Sequence, residues 1–121
     1  METGDLQSSN RELGEYCQEL RKRVSLNDKI LLINCPQFNL DNFDLEIAKN
    51  RGYYAYPPTG LQYLASAISH RDLEIRILDL NFEFLKKVQT DQSFNHKDWT
   101  SILKDYLEEY NPSVVGISDF Y

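Results

Sequence analysis

The sequence lacks the features that would place it in a membrane-bound, secreted or nucleic-acid-binding class. No run approaches the roughly 18 consecutive apolar residues of a membrane-spanning helix, and residues 1–5 have neither the basic nor the apolar part of a secretory signal. The net charge is −6, so no basic surface is expected for a phosphate backbone. Cys17 and Cys35 are too few for a disulfide framework and too far apart for a thiolate zinc site. We therefore expect a cytoplasmic protein with no membrane span and no nucleic-acid partner.

The 121 residues suffice for one packed domain, because 41% of them are hydrophobic and 12% are aromatic. We divide the chain into an N-terminal extension, residues 1–27, and a domain over residues 28–121. After a polar, frayed start at residues 1–8, Ser9 or Asn10 is expected to cap an amphipathic helix. Its apolar side carries Leu13, Cys17, Leu20 and Val24. Such a helix docks either on its own domain, which is the commoner arrangement, or on a partner.

Three stretches of the domain have the composition of β-strands. Residues 30–33 are apolar at every position, which predicts a central strand covered on both faces. Residues 73–79 alternate between apolar and charged side chains, which predicts an outer strand. Residues 113–118 follow an Asn-Pro stop signal and are again apolar without alternation, so we expect a second central strand there.

Two helices are predicted between these strands. The first lies in residues 56–70 and begins at Pro58 or Thr59, because proline lacks the amide hydrogen that would have no partner in a first turn. Its apolar face consists of Leu61, Leu64, Ala65 and Ile68. The second helix has Asn95 as a cap, with Asp98 three residues later. Its apolar face consists of Trp99, Ile102, Leu103, Tyr106, Leu107 and Tyr110.

This alternation of strands and helices predicts an α/β fold, a doubly wound parallel sheet of order 2-1-3 with an extra N-terminal helix. Because the sequence stops directly after the third strand, we expect the sheet to be incomplete at its C-terminal side and the chain to be the first part of a longer protein. Ligands of such sheets bind outside the carboxyl ends of the strands, where the winding reverses. The residues there are Asn34, Cys35 and Pro36 after the first strand, and Ser118 and Asp119 after the third. The connection over residues 35–56 is long for this kind of fold, which is typical of a functional loop.

Four segments of the domain carry a family resemblance. They are Lys29-Ile-Leu-Leu-Ile-Asn-Cys-Pro36, Tyr56-Pro-Pro-Thr-Gly-Leu-Gln-Tyr-Leu-Ala65, Ile77-Leu-Asp-Leu80 and Asn111-Pro-Ser-Val-Val-Gly-Ile-Ser118. In this order and spacing they resemble the amino-terminal cobalamin-binding domain of radical S-adenosylmethionine enzymes. The resemblance implies a flavodoxin-like fold that holds a corrinoid over the carboxyl ends of its strands. It also implies a following barrel domain with an iron–sulfur cluster and S-adenosylmethionine, often used for methyl transfer to unactivated carbon or phosphorus.

The resemblance also implies site residues. Ser118 matches the serine that hydrogen-bonds the nucleotide tail of the cofactor, and Cys35, Pro36 and the loop up to Tyr56 match the segment facing the lower side of the corrin ring. The expected cofactor-binding residues are Asn34, Cys35, Pro36, Tyr56, Pro57, Gly60, Ser118 and Asp119. No Asp-x-His-x-x-Gly follows the first strand, so a lower histidine ligand is not expected. No Cys-x-x-x-Cys-x-x-Cys occurs, so no catalytic or metal-binding residue is assigned, and the 4Fe-4S cluster and S-adenosylmethionine are expected in a downstream domain.

Several of these residues have a structural alternative. The Ser118 hydroxyl can be satisfied by nearby backbone, and Cys35 fits a partly buried inert thiol better than a cobalt ligand. Asp79 fits a helix cap or loop position, since no glycine-rich nucleotide motif precedes it. Tyr53, Tyr54 and Tyr56 either form a wall for a large flat ligand or pack within their own loop.

The sequence is therefore compatible with two functions. The first is cobalamin binding for methyl transfer or related radical chemistry, with the enzymatic activity residing in the longer protein. The alternative is a cofactor-free flavodoxin-like domain that serves regulation or protein interaction. A receiver-type phosphoacceptor role for Asp119 is not favoured, because no acidic residue follows the first strand to hold magnesium.

Overall fold

The computed structural model describes residues 2–69 and 71–118, with side chains from residue 5 onward. It contains a three-stranded parallel sheet and helices on both faces of that sheet. The elements are α1 (Glu2–Arg23), β1 (Lys29–Asn34), α2 (Leu45–Lys49), α3 (Thr59–Ile68), β2 (Glu74–Asp79), α4 (Leu80–Thr90), α5 (Thr100–Tyr110) and β3 (Val114–Ser118), with short 3-10 helices at Leu40–Asn42 and His96–Asp98.

The strand order is β2-β1-β3, and both pairings are parallel, which confirms the predicted order. Asn34 lies opposite Asp79 on one side and Ser118 on the other. The pairing with β3 continues one residue further, where the Cys35 amide donates to the Ser118 carbonyl at 3.2 Å. The carboxyl ends of the three strands therefore meet at one edge, an arrangement compatible with a flavodoxin-like fold.

The uninterrupted apolar run of β1 puts this strand at the centre of the core, as predicted. Leu31 and Ile33 pack on one face with residues of β2, α4 and α5, whereas Leu32 lies on the opposite face beside α3. Helix α3 starts at Thr59, as predicted, but Leu61 is its one buried residue, and Leu64 stays 48% exposed. The α3 face of the sheet is therefore covered more thinly than the α5 face.

The two outer strands differ in how well they match the predictions. Strand β2 alternates in burial, as expected for an outer strand. Strand β3 was predicted to be central in a sheet that continues beyond it, and the three described strands do not test this. It lies at the sheet edge, where Val114, Val115 and Ile117 are 44%, 42% and 69% exposed. No described strand pairs with its outer side, as the order 2-1-3 of three strands requires.

Helix α4 was not predicted, although its sequence carries a helical signal. Asp79 caps it by accepting a hydrogen bond from the Phe82 amide at 3.1 Å. The buried residues of the helix are Leu80, Asn81, Phe84, Leu85 and Val88. The following helix, α5, begins at Thr100 rather than at Asn95, because Asn95 caps a separate 3-10 turn.

Helix α1 also departs from the predictions. It begins at Glu2 rather than at Ser9 or Asn10 and continues for 22 residues. Leu6 and Leu13 are each 61% exposed, and Leu20 is 38% exposed. Docking of this helix on its own domain was therefore the wrong expectation, since its apolar side chains remain open to solvent.

The long connection between β1 and α3 is packed rather than open. Phe38 and Phe43 pack against Phe84 of α4, and Tyr53 packs on Phe38 and Phe43, with ring centroids 5.1–5.4 Å apart along the cluster. Ala48 of α2 is fully buried in the same cluster. This aromatic cluster holds the loop against α4.

Phe84 should be the residue on which this cluster depends most. Its ring is fully buried, so Phe84→Ala is expected to lower the free energy of unfolding by about 3–5 kcal/mol. Phe82→Ala removes the same side chain from the same helix at a position that is 48% exposed, and the expected loss is much smaller. Urea denaturation followed by circular dichroism measures both. Equal losses for the two variants would contradict the packing described here.

Tyr110 closes the core at the opposite end of the sheet. It is 2% exposed, its hydroxyl donates to the Glu74 carbonyl at 3.0 Å, and the Arg76 guanidinium lies 4.3 Å from its ring centroid. Burial, and secondarily the Glu74 carboxylate, raises the pKa of Tyr110. The neutral hydroxyl is therefore the form that the folded chain favours.

This raised pKa predicts a pH-dependent stability. The stabilisation is complete below the unfolded tyrosine pKa of about 10 and is lost as pH rises through the folded-state value. Tyr110→Phe should cost about 1 kcal/mol below pH 10, and the difference from wild type should shrink above it. Urea denaturation across that pH range tests this, with Tyr63→Phe, at a 75% exposed position, as control. A difference that does not change with pH would show that the Tyr110 hydroxyl does not contribute in this way.

Candidate functional site

A cleft of about 260 Å³ lies at the carboxyl edge of the sheet, between the ends of β1 and β3 and the first turn of α3. It is lined by Asn34, Gln37, Tyr56, Pro57, Pro58, Thr59, Gly60, Leu61 and Ser118. Small-molecule sites usually measure about 300–1,000 Å³. The cleft therefore suits one arm of a ligand whose larger part lies outside it.

The first turn of α3 lines this cleft through Thr59, Gly60 and Leu61, and the Thr59 amide donates to the Pro57 carbonyl at 2.8 Å. Pro58 precedes the helix and provides no side-chain cap, and the Gln62 amide is bonded to the Pro58 carbonyl. The uncapped N-terminus of a helix favours anions, because its amides point outward and the helix dipole is positive there. A Cβ built on Gly60 would meet no atom within 4 Å, so a ligand can approach the backbone at this position.

Asn34 is held in place at the end of β1. It is 2% exposed, and its Nδ2 donates to Asp79 Oδ1 at 3.0 Å. The same carboxylate oxygen accepts from the Phe82 amide, so Asp79 has the capping role that the sequence left as an alternative. Asp79 thereby joins the cleft residue Asn34 to the start of α4.

Two residues at this edge were missed by the sequence reasoning. The Gln37 amide donates to Asn81 Oδ1 at 3.0 Å, and Asn81 is fully buried. Among the side chains that the structure describes, Asn81 Nδ2 is the buried donor without an acceptor, an arrangement that costs about 1–3 kcal/mol. No local signal marks either residue, because only the tertiary fold brings the loop onto α4.

The predicted cofactor-binding residues divide into three groups. Asn34, Tyr56, Pro57, Gly60 and Ser118 line the cleft. Cys35 and Pro36 do not line it, because Cys35 is half-buried against the core cluster on the α5 face of the sheet. Asp119 lies outside the described residues.

The three loop tyrosines also divide between the two alternatives. Tyr53 stacks on Phe43 with ring centroids 5.1 Å apart, and its hydroxyl accepts from the Asp44 amide, so Tyr53 serves loop packing. Tyr54 and Tyr56 are 76% and 64% exposed, and Tyr56 alone of the three lines the cleft. The interior of the loop thus packs on α4, and only its ends at Gln37 and Tyr56 reach the cleft.

Two surface grooves of about 550 and 420 Å³ lie along α4 and α5 and share no lining residue with the cleft. Asp91 borders both, but its carboxylate closes a local turn by accepting from the Ser93 hydroxyl at 2.6 Å and the Ser93 amide at 3.0 Å. These hydrogen bonds lower the pKa of Asp91. The carboxylate therefore has a structural use, and we place the candidate site at the carboxyl edge.

Comparisons with models of protein families, with curated proteins and with solved structures found no match. Within residues 2–69 and 71–118, no helix is both long and apolar enough to cross a lipid bilayer. The same ranges contain no group of three or more histidine, cysteine, aspartate or glutamate side chains placed to hold a metal ion.

Asp79→Ala should destabilise the carboxyl edge by about 2–4 kcal/mol, because it removes a helix cap and leaves the buried Asn34 amide nitrogen without its acceptor. Asp79→Asn keeps an oxygen acceptor and is expected to recover most of this loss. Asp72→Ala, at an exposed turn position, is the control. Urea denaturation measures stability, and amide hydrogen exchange at Phe82 reports on the cap. Unchanged exchange in Asp79→Ala would contradict the assigned role.

Proposed function

We propose that this chain forms one wall of a cobalamin site in a cytoplasmic radical S-adenosylmethionine enzyme, and that its cleft receives the nucleotide arm of the cofactor. One observation carries the proposal. Asn34, residues 56–60 and Ser118 come from three separate segments that carry the resemblance, and they line a single cleft, although the matched residues Cys35 and Pro36 do not. These residues converge at the carboxyl edge of the sheet, and this is the edge at which open α/β sheets bind ligands.

The cleft fits part of cobalamin rather than the whole of it. A volume of about 260 Å³ excludes the corrin macrocycle, which is larger than an ordinary small-molecule ligand. The nucleotide arm combines a flat base with a phosphate, and the cleft offers it an apolar proline and leucine lining beside the uncapped start of α3. When bound, cobalamin would supply a cobalt atom able to carry a methyl group.

Each lining residue has a role in this arrangement. The Ser118 hydroxyl supplies a hydrogen-bonding group on the floor of the cleft, and Gly60 leaves room for close approach to the α3 backbone. Asn34 is positioned by Asp79 on the neighbouring strand. These residues bind and orient the arm, and none of them is assigned a step in the chemistry.

Gly60→Leu tests the proposal. A Cβ at this position meets no protein atom within 4 Å, so the leucine should fold normally and obstruct the cleft. We expect the protein expressed from its complete reading frame to retain methylcobalamin after gel filtration, with affinity falling at least about tenfold in Gly60→Leu. Visible absorbance of the bound corrinoid is the measurement.

Ser66→Leu is the matched control, since Ser66 is exposed on the same helix and does not line the cleft. It should bind as wild type does. Circular dichroism shows whether both variants are folded. No retention of methylcobalamin by the wild-type protein, or equal retention by the two variants, would overturn the proposal.

A second function, that of an interaction or regulatory domain, is favoured by a different observation. Helix α1 and strand β3 each expose apolar side chains, including Leu13 and Ile117. Surfaces of this kind are typical of contact with other chains. If methylcobalamin does not bind while the protein is folded, this function replaces the first.

A further inference from the structure

The apolar side chains of α1 follow a seven-residue repeat. Leu6, Leu13 and Leu20 recur every seven residues, and Asn10, Cys17 and Val24 each follow one of these leucines by four residues. Val24 directly follows the last residue of the helix, and its amide donates to the Leu20 carbonyl at 3.0 Å, which continues the helical hydrogen-bond pattern by one residue. A mean spacing of 3.5 residues is the signature of a coiled-coil seam, with the leucines at the d positions and the intervening residues at the a positions.

This seam is uncovered in the single chain. The exposed fractions are 61%, 61%, 38% and 44% for Leu6, Leu13, Leu20 and Val24, and Cys17 is exposed as well. A helix of 22 residues gains little from its intrinsic propensity in water, and most helices of proteins are stabilised by packing of an apolar face. A partner surface of matching period would supply that packing.

We propose that α1 pairs with α1 of a second copy of this chain, as a parallel, in-register, two-stranded coiled coil. Leucine at d with a single asparagine at an a position is the pattern that specifies such a dimer, because the two asparagine side chains meet and hydrogen-bond across the seam. In an antiparallel pair an a position faces a d position, so Asn10 would face a leucine and lose this partner. The sequence of α1 therefore indicates that its partner is α1 of a second copy of the chain.

The e and g positions, which flank the seam, are compatible with this pairing. In the parallel register, Ser9 of one copy faces Gly14 of the other, and Tyr16 faces Arg21, so neither contact opposes like charges. The second contact brings a guanidinium to an aromatic ring. Arg23 is bonded to Glu19 of its own helix at 2.9 Å, which reduces the charge repulsion at the C-terminal end of the seam.

Cys17 supplies a direct test of the register. Two in-register copies bring their a-position thiols face to face, within reach of a disulfide. Diamide oxidises a pair of thiols by taking two electrons and two protons, and the covalent dimer is read on a non-reducing gel. In a Cys35→Ala background, the chain should cross-link through Cys17. The control adds Cys17→Ala and Glu15→Cys, which moves the thiol to the outer face and should cut the initial rate at least about tenfold.

Three substitutions test the seam without cross-linking. Dimerisation of the full chain is measured by analytical ultracentrifugation over a concentration series. Leu13→Glu should weaken dimerisation at least about tenfold, whereas Gln18→Glu adds the same charge on the outer face and should change it by less than twofold. Asn10→Val should strengthen it, because a polar a-position residue lowers coiled-coil stability.

A chain that stays monomeric at all concentrations would overturn the inference. So would a dimer that is insensitive to Leu13→Glu, or equal cross-linking at positions 15 and 17. The measurements are made without cobalamin, so their outcome does not depend on the proposed cofactor site.

Discussion

The rest of the structure depends on the register in which β1 pairs with its two neighbours. This register puts Asn34, Asp79 and Ser118 in one row at the carboxyl edge. A shift of one residue in either pairing would bring residues of opposite faces together. Asn34 would then lose the Asp79 carboxylate, and the α4 cap would lose its connection to the cleft. The register is maintained by burial, because Leu31, Leu32 and Ile33 are all 4% exposed or less.

The two faces of the sheet are covered unequally, and the cleft lies on the thinner side. On the α5 face, Tyr110 and Leu78 are buried with Leu31 and Ile33, and Trp99 packs against them. On the other face, α3 contributes only Leu61 to the buried residues. The prolines and the glycine that begin α3 add little bulk at the point where that helix approaches the strand ends. A gap therefore persists there, and β1 and β3 form its floor.

The sequence alone predicted the elements whose signals are local. The apolar run of β1, the alternation of β2 and the prolines before α3 each identified an element, and together they predicted the strand order. Helix α4 was missed although Leu80, Phe84, Leu85 and Val88 share one helical face, because this stretch was taken for a connection. The edge position of β3 follows from the predicted order of the three strands, whereas its apolar run does not indicate which element would cover it.

The candidate site was also predictable only where local signals identify its residues. Asn34, Tyr56, Pro57, Gly60 and Ser118 follow from matched segments and from the rule for open α/β sheets. The hydrogen bond from the Gln37 amide to Asn81 could not be predicted from the sequence, because it depends on the aromatic packing that places the loop against α4. Cys35 was misplaced for a simpler reason. Successive residues of a strand point to opposite faces, so if Asn34 reaches the cleft, the next side chain turns toward the α5 core.

The aromatic loop between β1 and α3 limits the sides from which a ligand could enter the cleft. Phe38 and Phe43 pack against Phe84, and Tyr53 packs on both of them, so the interior of the loop is anchored on α4. Gln37 is attached to the same helix through Asn81. The remaining boundary of the cleft is made by Tyr56, Pro57 and the first turn of α3, where Tyr56 is exposed. The cofactor that we propose would therefore approach over the carboxyl edge between α3 and β3, and its larger part would stay outside the cleft.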